Sequence, residues 1–137
     1  MSLEWFSNGA AQFQGELKWQ EPLSRHTYYR IGGPASLLAL PRGAADLEWL
    51  QKGVQVSGCH SFVLGLGSNL LVSDKGFDGL VIKTSRLDQQ ITVLREVHSE
   101  ITIRTGCGVA VSSLLRRAGQ EGWAGLELLA GVPGSVG

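Results

Sequence analysis

Gly65, Gly67, Ser68 and Asn69, within the run Phe-Val-Leu-Gly-Leu-Gly-Ser-Asn-Leu-Leu-Val over residues 62–72, are the part of this 137-residue chain best suited to chemistry. Glycine removes side chains from the concave side of a turn and tolerates positive φ, so successive backbone N–H groups can meet an anion. Ser68 and Asn69 add side-chain donors. Hydrogen bonds to a charged acceptor contribute about 1.5–3 kcal/mol each, so a few of them could hold a dinucleotide's phosphates without a lysine. The same residues would also make an ordinary glycine hairpin between buried strands. Two more glycine-rich loops, residues 31–34 and 131–137, favour the anion cup.

Other reactive side chains form no comparable group. Arg30 beside the first glycine corner could pair with a phosphate or a carboxylate. His26, His60 and His98 are isolated from one another and read as surface or capping residues. Cys59 and Cys107 lack metal-ligand spacing and an adjacent base, and read as small buried side chains. Asp74, Asp78 and Glu127 lie near glycine turns, the two aspartates as turn formers. No metal site and no catalytic constellation is legible.

The elements that must position the cup follow from periodicity. A strand over 62–64 enters it and a β-type run over 70–73 leaves it. A Rossmann fingerprint or a P-loop needs a helix at that point. Upstream, a short strand over 37–40 precedes a helix over about 44–56, where Leu47, Leu50 and Val54 recur at helical spacing and Gly58 provides a stop. Downstream, a turn at 77–79 leads to a strand over 80–83. Strands over 91–93 and 101–104 pair through a polar connection at 96–100. Val111, Leu114, Leu115 and Ala118 share a helix face, with Arg116 and Arg117 outward and Gly122 as the end. Before Pro22, Trp5, Phe6, Phe13, Leu17 and Trp19 suggest a helix or an arm packed on the domain.

Composition narrows the class. Apolar residues make up 43% and charged residues 18%, which fits a globular domain, and the 19 glycines fit a turn-rich α+β or β-heavy one. Lys+Arg and Asp+Glu balance at 12 each, so no basic stripe exists for nucleic acid or a membrane surface. Residues 1–15 lack the apolar region of a signal peptide, and no apolar run approaches the ~20 residues of a membrane span. The expectation is a soluble cytoplasmic protein.

Three segments in order resemble the amino-terminal part of the bacterial UDP-N-acetylenolpyruvoylglucosamine reductases (UDP-N-acetylmuramate dehydrogenases, the MurB family). They are Tyr-Arg-Ile-Gly-Gly-Pro-Ala at 29–35, Leu-Gly-Leu-Gly-Ser-Asn-Leu-Leu-Val-Ser at 64–73 and Gly-Leu-Glu-Leu-Leu-Ala-Gly-Val-Pro-Gly-Ser-Val-Gly at 125–137. The resemblance implies an α+β fold, the FAD-binding domain of the vanillyl-alcohol-oxidase (PCMH) type, with mixed sheets and flanking helices. Residues 1–21 would be an amino-terminal arm or helix, and 22–137 the FAD-binding domain, truncated inside its second subdomain. FAD would be noncovalent, with its pyrophosphate at 65–69. Carried over as cofactor-binding residues are Ile31, Gly32, Gly65, Leu66, Gly67, Ser68, Asn69, Leu70, Pro133, Gly134, Val136 and Gly137.

The reaction so implied is NADPH-dependent reduction of the nucleotide sugar UDP-N-acetylglucosamine enolpyruvate to UDP-N-acetylmuramate, for peptidoglycan. The family's serine proton donor and its assisting arginine and glutamate have no matching positions here. A catalytically incomplete chain is therefore expected, with an apolar stretch over 126–132 left uncovered and prone to self-association. Two other readings are a non-catalytic nucleotide-binding or interaction module of this fold, and a different flavin-dependent oxidoreductase of the same superfold.

Overall fold

The computed structural model describes residues 3–137. Its centre is a four-stranded mixed sheet in the order β1-β2-β4-β3, formed by β1 (Glu16–Pro22), β2 (Pro34–Leu40), β3 (Ser61–Leu64) and β4 (Phe77–Lys83). β1 runs antiparallel to β2, whereas β2, β4 and β3 are mutually parallel neighbours. Alternation along β2 feeds both faces, and a register shift between Ala35 and Leu37 sets Ala35 on the face of Leu38 and Leu40. Leu37 and Ala39 point to one core, and Ala35, Leu38 and Leu40 to the other.

The first core is aromatic. Helix α1 (Glu4–Asn8) and helix α2 (Ala44–Ser57) cover it, with Phe6, Phe13, Trp49 and Leu50 packed on Leu37 and Leu80. Residues 3–21 thus hold α1, a 3-10 turn and most of the edge strand β1, and residues 1–2 of the expected arm lie outside the described residues. The boundary placed at 21/22 falls within β1. Asp46 accepts the amides of Gln14 and Arg42 at 2.9 and 2.8 Å, which ties α2 to the leader and explains a buried carboxylate on an apolar face. Gly58 ends α2 in the left-handed conformation, as its position predicts.

No α-helix among the described residues contributes to the second core. Leu23, Leu64 and Val81 meet there, with Leu70 and Val72 packed over them from a loop and Phe77 from the start of β4. This corrects two sequence expectations. Residues 70–73 are an extended connector and pair with no strand, because Leu70 and Val72 cap the second core while the Ser73 carbonyl accepts the Gly33 amide at 2.9 Å. The turn lies at 74–76, and Phe77, Asp78 and Gly79 already belong to β4, where the Asp78 carboxylate accepts the Ser36 hydroxyl at 3.0 Å.

The remaining chain forms an antiparallel hairpin of β5 (Ile91–Val97) and β6 (Glu100–Thr105), then helix α3 (Val111–Glu121). The hairpin strands extend further than their alternation predicts and leave only His98 and Ser99 in the turn. On α3 the buried residues are Val111, Leu114 and Ala118, and Gly122 is its left-handed cap, as the periodicity requires. No helix among the described residues is long and apolar enough to cross a membrane.

Candidate functional site

The register Leu64↔Lys83 places the carboxyl ends of the parallel strands β3 and β4 side by side. The loop 65–70 therefore leaves the sheet next to Lys83, the position at which open α/β sheets present ligand sites. Its geometry suits an anion. None of the amides of residues 65–70 donates a hydrogen bond to any described residue. Backbone donors are ordinarily paired, so such a run is a set of donors open to a ligand or to water.

The turn before the first glycine corner and the last glycine loop both lie against this one. Tyr28 donates its amide to the Gly67 carbonyl at 2.9 Å. Gly67 is buried with φ 69, and a β-carbon there would run into the His26 carbonyl oxygen. From the far side, Ser135 forms a bridge with Ala110, and the amides of Val136 and Gly137 donate to Val109 at 2.9 Å and Cys107 at 3.1 Å. A β-carbon on Gly65 would lie 2.5 Å from Ser135 Oγ and 3.2 Å from the Gly137 carbonyl oxygen, so a larger residue there has to displace the Ser135 hydroxyl.

Two depressions result. A shallow groove of about 280 Å³ runs over residues 62–70 and is closed by Pro133, Gly134, Ser135 and Gly137. A deeper cleft of about 480 Å³ adjoins it, sharing Leu66, Ser68, Pro133 and Gly134. Its walls add residues 25–28, Lys83, and Ala110 with Ser112 at the start of α3. Gly65, Leu66, Gly67, Ser68, Asn69, Leu70, Pro133, Gly134 and Gly137 thus come together. Ile31, Gly32 and Val136 line neither depression. Ile31 is exposed, Gly32 packs on Val72, and Val136 spends its amide within the chain.

Arg25 and Lys83 line the cleft and no carboxylate does. His26, expected at the surface, is largely buried there with its side chain 10% exposed. Its Nε2 lies 2.9 Å from Glu21 Oε1 and its Nδ1 3.0 Å from Lys83 Nζ. An ammonium only donates, so Nδ1 accepts from Lys83 and Nε2–H donates to Glu21. Burial pushes the His26 pKa below its ordinary value, and Lys83 adds to this, against the raising effect of Glu21. Burial likewise lowers the Lys83 pKa, helped by Arg86 and Lys18. No spacing signal marks this trio, since His26 and Lys83 are 57 residues apart. Arg30 makes no ion pair among the described residues, and no cluster of His, Cys, Asp and Glu there could hold a metal ion.

The donors present fit a dinucleotide: unpaired amides for phosphate, small residues where loops close, and a groove continued by an apolar one of about 210 Å³ that includes Phe62, Leu64 and Leu70. Comparison with known proteins points the same way. Residues 35–137 match the family model described as "FAD binding domain". The UDP-N-acetylenolpyruvoylglucosamine reductase of Halalkalibacterium halodurans is 44% identical over 123 residues, covering 90% of this chain and 39% of that protein. The enzyme of the same name from Syntrophobacter fumaroxidans is 40% identical over 138 residues, covering all of this chain and 40% of that protein. Among solved structures, UDP-N-acetylenolpyruvylglucosamine reductase from Thermus caldophilus aligns with a TM-score of 0.61 at 30% identity, over 90% of this chain and 40% of that one. The chain spans about two fifths of the length of the curated relatives it matches.

Proposed function

Because the chain belongs to the FAD binding domain family, we propose that it is the FAD-binding part of a UDP-N-acetylenolpyruvoylglucosamine reductase. The observation that carries this reading is the loop 65–70, whose amides are unpaired among the described residues and which residues 133–137 close from the far side. FAD is held noncovalently, with its pyrophosphate against that loop. Bound there, it supplies the two-electron carrier through which NADPH reduces UDP-N-acetylglucosamine enolpyruvate to UDP-N-acetylmuramate.

The chain's own share is binding and orientation. The 65–70 amides and Ser68 hold phosphate oxygens, Asn69 extends the donor row, and Pro133 with Gly134 brings backbone against the cofactor. Ser135 donates its hydroxyl to the Gly137 carbonyl at 2.9 Å and so braces the loop. Neither Ser68 nor Ser135 is assigned as proton donor. The proposal includes no turnover by these 137 residues alone, a cytoplasmic location, and self-association around Leu128, which is 94% exposed.

Flavin titration of the purified chain, followed by quenching of FAD fluorescence, tests the binding. Saturable quenching that weakens in Ser68→Ala with an unchanged thermal melt supports the reading, and no quenching at high micromolar FAD refutes it. NADPH oxidation assayed with the nucleotide-sugar substrate tests the inactivity, which turnover would disprove. Light scattering over a concentration series tests self-association.

A further inference from the structure

Lys83 is the cation of the cleft that lacks an anion. Its Nζ has one hydrogen-bond partner among the described residues, His26 Nδ1 at 3.0 Å, and no carboxylate oxygen lies within 4.0 Å. The charges that act on it, Arg86 and Lys18, are cations as well. A partly buried ammonium among like charges is costly unless an anion is brought to it. Arg25, the other cation of the cleft, is spread over Glu21 at 3.8 Å and is mostly exposed.

The trio is also built to aim. Glu21 accepts Nε2–H of His26, which leaves the Nδ1 lone pair facing Lys83 and fixes one of the three ammonium hydrogens. The other two remain free for a ligand. Lys83 shares the cleft with Leu66 and Ser68 of the anion loop and with Gly134 of the closing loop.

We propose that Glu21, His26 and Lys83 form a braced cationic arm whose ammonium binds the diphosphate of the dinucleotide alongside the loop 65–70. Lys83 is the binding residue; His26 and Glu21 are positioning residues. The proposal deepens the FAD reading and rests on it for the identity of the ligand, while the anion chemistry can be tested separately.

Binding of FAD, ADP, riboflavin and inorganic pyrophosphate is measured on wild type, Lys83→Met and Lys83→Arg, each checked for an unchanged circular dichroism spectrum. The expected result is a loss of about tenfold or more for FAD and ADP in Lys83→Met, about 1.4 kcal/mol or more, with substantial recovery in Lys83→Arg. Riboflavin affinity stays the same. The salt dependence of ADP binding becomes shallower in Lys83→Met and recovers in Lys83→Arg, which a packing defect would not produce. Glu21→Gln gives a smaller loss, together with a change in the His26 imidazole nitrogen shifts. Equal losses for riboflavin and FAD, or unchanged FAD and ADP affinity in Lys83→Met, overturn the proposal. Pyrophosphate binding that depends on Lys83 in a chain that ignores FAD would uphold the arm and refute the flavin assignment. Pyrophosphate and FAD both indifferent to Lys83 would refute the arm.

Discussion

The α-carbon of Gly67 packs so closely on the His26 carbonyl oxygen that no β-carbon fits between them, and the Gly67 carbonyl accepts the neighbouring Tyr28 amide at 2.9 Å. The turn after β1 and the anion loop are therefore in direct contact through residues 26–28 and Gly67.

Gly67→Ala meets both a positive φ of 69 and that carbonyl. Left-handed backbone alone costs roughly 1–2 kcal/mol with a β-carbon, and displacement of residues 26–27 adds to it. The expected outcome is a stability loss of about 2 kcal/mol or more in urea unfolding, with weaker FAD binding. A variant as stable as wild type would mean the two loops are not locked.

Gly65→Ala separates the loops without that strain, since Gly65 is not among the positive-φ residues and its conflict is with Ser135 Oγ. Its expected signature is the opposite: an unfolding midpoint close to wild type, and FAD affinity reduced severalfold. The double variant Gly65→Ala/Ser135→Ala should recover part of the affinity, because the atom met by the new methyl group is gone. Additive losses would place the effect elsewhere.

His26 makes folding pH-dependent. Its folded pKa lies below the ordinary 6.5 because burial and Lys83 disfavour its charge, so the unfolded chain takes up the proton first. Its contribution is complete above 6.5 and is lost as pH falls through the lowered folded value. The groups around it are Glu21 and Lys18 on β1, Arg25 on its own turn, and Lys83 on β4. Glu16, lowered from 4.5 by Arg86, titrates at more acidic pH and leaves the upper part of the window to His26. Thermal melts between pH 7.5 and 5 should show a falling midpoint in wild type and a flatter profile in His26→Gln. Parallel profiles would remove His26 as the cause.

Trp49 is buried among Trp5, Phe6 and Phe13, with ring centroids 4.7 to 5.6 Å away, yet its Nε1–H has no partner among the described residues. Trp49→Phe loses packing but also removes an unsatisfied donor, which by itself costs about 1–3 kcal/mol. Urea unfolding should give a change within about 1.5 kcal/mol, against about 3–5 kcal/mol for Trp49→Ala. Equal losses for both substitutions would mean that the indole N–H is satisfied in solution.

Local chemistry made much of this protein legible from residue types alone. Helices α2 and α3 follow from apolar spacing and their glycine stops, and the anion loop from two glycines beside Ser68 and Asn69, because turns and helix faces depend on neighbours in the chain. The connector at 70–73 misled because its β-branched and leucine side chains satisfy a strand pattern equally well when they cap a core from a loop. Side-chain pattern reports burial, whereas strand pairing depends on which backbone lies alongside. Tertiary structure alone decided that β3 and β4 run parallel with Leu64 beside Lys83, and that the turn after β1 folds His26 down between Glu21 and Lys83. Charges that meet across 57 residues leave no spacing to read. The sequence by itself marked a glycine loop suited to an anion; only the folded sheet set Lys83, which has no carboxylate partner among the described residues, in a cleft with that loop.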